Sequence, residues 1–124
     1  MKKNTILLIL LSFIIVLACK KKETDTVNPV ISISSPTEGQ MFNAGDSLLV
    51  SFSVTDVDLH GFDYAVISTA TNDTLFSGDE HTHASATFSR KFILEDAATQ
   101  YILSVNGEDH TGNTSNKVVH FHTM

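Results

Sequence analysis

Between Leu48 and Thr55 the chain alternates without a break: Leu48, Val50, Phe52 and Val54 fall on one side, Leu49, Ser51, Ser53 and Thr55 on the other. A period of two marks a strand with one buried face, because successive side chains of an extended backbone point in opposite directions. No stretch from Val27 to Met124 carries apolar residues at helical spacing over ten positions. The period therefore points away from helical and α/β folds and toward an all-β one.

The rest of that region repeats the pattern in short pieces. Val30 to Ser35 lies between Pro29 and Pro36 and suits a sheet edge. Glu38-Gly39 and Asn43-Ala44-Gly45-Asp46 are turn signals. A strand is expected from Phe62 to Thr69, a turn at Thr71–Thr74, and a brief strand from Leu75 to Ser77. Ala86, Phe88, Phe92 and Leu94 mark another, with Arg90 the charged exception on that face. Tyr101, Leu103 and Val105 mark the next, and Val119 with Phe121 the last. Seven short strands at this spacing predict an antiparallel sandwich. The 124 residues are a one-domain length. The single cysteine, Cys19, rules out an intrachain disulfide, so the domain rests on its apolar core.

The chain opens differently. Met1-Lys2-Lys3 is a positive start, and Ile6 to Leu17 is an apolar run of twelve residues interrupted by one serine. Spanning a bilayer takes ~20 apolar residues; the shorter run fits the core of a secretory signal. Val16-Leu17-Ala18-Cys19 then resembles the lipobox of bacterial lipoproteins: an aliphatic residue, a tolerant position, a small residue and cysteine. The resemblance implies diacylglyceryl transfer to the Cys19 thiol, cleavage after Ala18, and acylation of the freed amine. Each buried CH₂ contributes ~0.8 kcal/mol, so two or three chains anchor stably where one would not. Lys20 follows the cysteine where inner-membrane retention signals carry aspartate, and the Lys-rich, then acidic start resembles export signals to the outer membrane. The expected organisation is a signal peptide over 1–18, a lipidated Cys19 with a flexible tether over 19–27, and a domain over 28–124 in the cell envelope, most naturally the outer membrane, facing the periplasm or the surface.

Within the domain two further segments carry a resemblance. Asp96-Ala-Ala-Thr-Gln-Tyr101, followed by Leu103 and Val105, is similar to the tyrosine corner of Ig-like and fibronectin-type domains, whose hydroxyl bonds back to the preceding turn. Asp109-His-Thr-Gly112-Asn113 resembles the Asp-x-x-Gly-Asn hairpin of bacterial members, and the opening from Pro29 to Asp56 is also typical of them. The whole resembles a bacterial lipoprotein family of unknown function built on one such domain. The fold it implies is Ig-like; no activity follows from a fold.

Charge narrows the partners. From Val27 onward Arg90, Lys91 and Lys117 stand against 12 acids, a net of −9. Binding nucleic acid depends on Lys and Arg releasing counterions, so nucleic acid is excluded. Glycan binding is disfavoured because there is no Trp, and Tyr64 and Tyr101 are assigned to the core or its corner. There is no Gly-x-Ser-x-Gly, no phosphate loop and no free thiol once Cys19 is acylated, so no catalytic activity is expected.

The histidines are the remaining signal. In an up-and-down walk, the turns after the first long strand (Asp56, Asp58, His60), over Gly78–Ser85 (His81, His83) and over Glu108–Ser115 (Asp109, His110) fall at one end of the sandwich. Four of six histidines and six of the domain's twelve acids would share one rim. At i, i+2 on an extended chain His81 and His83 stand ~6.6–6.8 Å apart on one side, close enough for both imidazoles to reach one ion. His60 or His110 and an aspartate would complete a zinc or copper site. Calcium through Asp56, Asp58 and Asp109 lacks an EF-hand type of loop. Turn Asp and His residues also serve as solvated caps, and that is the expected role of Asp109 as a turn residue. His120 and His122 are expected on the surface, on the strand face opposite Val119 and Phe121. The sequence thus leaves two functions open: a lipid-anchored binding or adhesion module with a protein partner at the cell surface, or a metal-binding envelope lipoprotein.

Overall fold

The computed structural model describes residues 24–95 and 99–124. The leader over 1–18, Cys19, the first part of the tether and residues 96–98 lie outside those residues.

Eight strands form two sheets: β1 (Val30–Ser35), β2 (Gln40–Phe42), β3 (Ser47–Thr55), β4 (Leu59–Ser68), β5 (Thr74–His81), β6 (Ala86–Ile93), β7 (Gln100–Asp109) and β8 (Thr114–Thr123). One sheet has the order β1-β3-β6, the other β2-β8-β7-β4-β5. The all-β, sandwich-like arrangement agrees with the alternation. The expected seven antiparallel strands do not. The additional strand is β2, which runs parallel to β8 with Gln40 opposite Phe121 and Phe42 opposite Thr123. Three residues are too few to display a period of two, and β2 lies between turns at Gly39 and Gly45 that both hold positive φ. Its parallel sense has a simple cause. The chain leaves the small sheet at Ser35 and continues in the same direction along the larger one, where β8 also runs that way.

The strict alternation of β3 is the centre of the core. Leu48, Val50, Phe52 and Val54 are all buried, against Phe62, Tyr64 and Val66 of β4 and Tyr101, Leu103 and Val105 of β7. The Phe52 ring sits 5.0 Å from Phe88, 5.3 Å from Phe62 and 5.8 Å from Tyr64, centroid to centroid. Such offset and edge contacts each add about 0.5–1.5 kcal/mol beyond area burial. Tyr101 is fully buried and stacks on Phe121. Its hydroxyl has no partner among the described residues, and part of the turn to which a tyrosine corner would bond is at 96–98.

The β7–β8 hairpin and the crossings from β3 to β4 and from β5 to β6 all turn at one end. Their loops are tied together there. The Asp56 amide donates to Ser85 Oγ at 3.1 Å, and that hydroxyl donates to the Asp56 carbonyl at 3.1 Å. The His110 amide donates to the Asp58 carbonyl at 3.0 Å, and the Thr82 amide to the His60 carbonyl at 3.1 Å.

Candidate functional site: a histidine rim

The four rim histidines meet in space. His60 enters through a β-bulge: Leu59 pairs with Asp109 and Gly61 with Glu108, so His60 is the extra residue on β4. A bulge bends the strand and re-aims one side chain. Here it interrupts the alternation, so that Leu59 and Phe62, three apart, both point into the core. His81 ends β5 opposite Gly61. His83 and His110 come from the two loops beyond.

The rings form a continuous run in the order His81, His60, His110, His83. Centroids lie 4.9 Å apart for His60 and His81, 4.8 Å for His60 and His110, and 5.1 Å for His83 and His110. Four imidazoles bound through ~2.0–2.1 Å bonds to a tetrahedral ion would have centroids about 5.2 Å apart. Neighbouring rings of the run are thus as close as two ligands of one ion, although no three of the four histidines bring ring nitrogens within 4.8 Å of one another. The expected direct pairing of His81 with His83 is replaced by this run. Thr82 turns the chain inward by bonding the His60 carbonyl, and each of the two histidines packs on a different partner.

One contact is more specific. His110 Nδ1 lies 2.9 Å from the Asp58 carbonyl oxygen and 3.4 Å from its carboxylate. A carbonyl oxygen only accepts, so Nδ1 carries the proton and Nε2 presents its lone pair. A hydrogen bond from the far ring nitrogen to a carbonyl fixes the tautomer of metal-bound histidines in the same way. His110 Nε2 faces His83 Nδ1 at 3.2 Å, and two nitrogens on one tetrahedral ion stand about 3.3–3.4 Å apart. With His110 protonated at Nδ1, the proton between the two rings belongs to His83.

The aspartates behave otherwise. The one trio of ligand atoms found within 4.8 Å of one another among the described residues is Asp25, Asp56 and Asp109, and its carboxylates are occupied by the rim's own amides. Asp25 Oδ1 accepts from the Val27 amide and Asp56 Oδ1 from the Asp58 amide. Asp109 is 1% exposed and takes bonds from the amide and side chain of both Thr111 and Asn113. Burial pushes its pKa up, and those bonds outweigh it, lowering the value from 3.8 to about 2. Asp109 is the anchor of the β7–β8 turn, and Gly112 supplies the positive φ that turn needs. Asp58 orients His110. His120 is exposed and bonds Glu38 at 3.1 Å, remote from the rim, and His122 shares its strand.

Asp25 was not legible in the sequence. Its carbonyl accepts from Asn113 Nδ2 at 3.0 Å, with Thr111 Oγ1, whose proton goes to Asp109, 3.3 Å away. The last residues of the expected tether therefore lie on the rim, and a charged stretch with no periodicity gives no sign of that. Beside the rim, a cleft of about 460 Å³ opens on the larger sheet, lined among others by His60, His81, Asp63, Asp79, Asn106 and Glu108.

No family model matches this chain, and no curated protein does. Among solved structures it is similar to the crystal structure of an engineered protein, at 16% identity and a TM-score of 0.57 over 78% of this chain. The match spans 20% of that longer chain. At that identity the likeness speaks to the sandwich fold alone.

Proposed function

We propose that this protein is a lipid-anchored, non-catalytic component of the cell envelope. Its Ig-like sandwich binds one divalent transition metal, zinc or copper, through His60, His81, His83 and His110. The observation that carries this reading is the run of four neighbouring imidazoles, with His110 held by the Asp58 carbonyl in the tautomer a ligand needs; binding one ion would require the rings to turn toward a common point. Imidazole nitrogen suits both metals. The Ig-like assignment is supported by a three-stranded sheet facing β8-β7-β4-β5, with β2 as an added edge. The anchor is supported by the order of positive start, short apolar run and Val16-Leu17-Ala18-Cys19.

A protein partner at the cell surface is the second reading. The cleft beside the rim favours it, since the exposed carboxylates of Asp79, Glu80 and Glu108 line it. Elemental analysis of tag-free protein, after exposure to Zn²⁺ or Cu²⁺ and desalting, separates the two. About one metal per chain is expected, and metal-free protein under both conditions would leave the adhesion reading alone.

A further inference from the structure

The position of Asp25 on the rim fixes which end of the sandwich the chain enters. Cys19 precedes Asp25 by six residues, and six residues span at most about 20–22 Å even fully extended. The same end exposes apolar side chains. Val57, at the tip of the β3–β4 turn, is 89% exposed, and Val27 and Val30 are 64% and 61% exposed. These three border one shallow depression with Thr55, Asp56 and Ser85. Nothing in the sandwich requires a valine at a turn tip, where polar residues are the rule.

We propose that the histidine end of the domain rests on the bilayer that holds its anchor, with Val27, Val30 and Val57 against the lipid headgroups and the metal rim facing the membrane surface. This rests on the lipid-anchor reading above and not on metal occupancy. The anchor makes the contact intramolecular, so a few apolar side chains need only orient the domain and not recruit it. Lys20, Lys21 and Lys22 lie between anchor and domain and are drawn to anionic headgroups. The acids of this end oppose approach to anionic headgroups, since Asp58, Asp79, Glu80 and Glu108 are exposed there and only Asp109 is buried, so the valine contact is expected on neutral lipid.

The opposite end offers the control. Thr71, in the β4–β5 turn, is exposed and lies a strand length away, about 30 Å. Full-length lipidated protein carrying Val57→Cys or Thr71→Cys, labelled with a small fluorophore, is reconstituted into phosphatidylcholine vesicles containing a headgroup-nitroxide lipid. Flotation first reads the anchor. The Val57→Cys label is expected to be quenched severalfold more than the Thr71→Cys label. Adding Val27→Asp and Val30→Asp should shrink that difference. Floated protein with equal quenching at the two sites, or more at Thr71, would overturn the proposed surface while leaving the anchor intact. An undiminished difference in the aspartate variant would overturn the valine contact. Protein that fails to float would overturn the anchor and this orientation together.

Discussion

Asp109 shows how one buried carboxylate can organise an end of the sandwich. Its two oxygens draw Thr111 and Asn113 into one turn, and Asn113 in turn holds the Asp25 carbonyl. A group whose folded pKa is depressed adds stability that is complete above its unfolded value and is lost as pH falls through the folded one. For Asp109 that window lies between about pH 4 and pH 2. Chelator-treated Asp109→Asn protein should therefore be less stable than wild type at pH 7 and lose less stability across that window, as followed by acid-dependent urea melts. Phe52 makes a different prediction. Its removal leaves a cavity among Phe62, Tyr64 and Phe88 and should cost about 3–5 kcal/mol, out of ~5–15 kcal/mol in total. A melting curve close to wild type would mean that the β3 face has been misassigned. Both residues were legible in the sequence, Phe52 from its alternation and Asp109 as a turn residue. Asp25 was not, because its role depends on a partner more than eighty residues away.

Elements were legible in proportion to their length and regularity. The long strands with a clean alternation were seen, whereas β2 has three residues between turn signals, and β5 runs on to His81 through Gly78, Asp79 and Glu80, which read as a turn. The bulge at His60 left a trace, the spacing of three between inward Leu59 and Phe62, but a single irregular step does not say which residue is extra. Next to it, Gly61 shows how closely β4 and β5 approach. A Cβ there would lie 2.6 Å from the Glu80 carbonyl oxygen, a backbone atom that cannot turn aside. Gly61→Ala should push β5 away at the residue paired with His81. We expect a loss of about 1–3 kcal/mol, the usual cost of overpacking, and a weaker response to metal than wild type. Thermal melts with and without Zn²⁺ measure both.

At the scale of the molecule, the gathering of loops at one end followed from counting strands, because antiparallel neighbours return their turns to the same side. Counting could not give the order of the rings, which is set by the bulge and by the bond from Thr82 to the His60 carbonyl. The anchor also belongs to this scale. Cys19→Ser should block lipidation and leave the leader uncleaved, as read by metabolic labelling with a clickable fatty acid; label retained by the serine variant would refute the assignment. The central claim, a transition metal on the histidine rim, is tested most directly by metal-dependent melting of the domain. A ligand of the native state at a hundred times its Kd stabilises by ~2.7 kcal/mol, or roughly 10–20 °C for a domain of about 100 residues. Coordination needs neutral imidazole, so protons compete with the metal and the shift should shrink as the pH falls. His81→Ala with His83→Ala should abolish the shift at pH 7, and His120→Ala with His122→Ala should leave it whole. A shift that vanishes only in the His120/His122 variant, or no shift in wild type with either Zn²⁺ or Cu²⁺, would contradict the account.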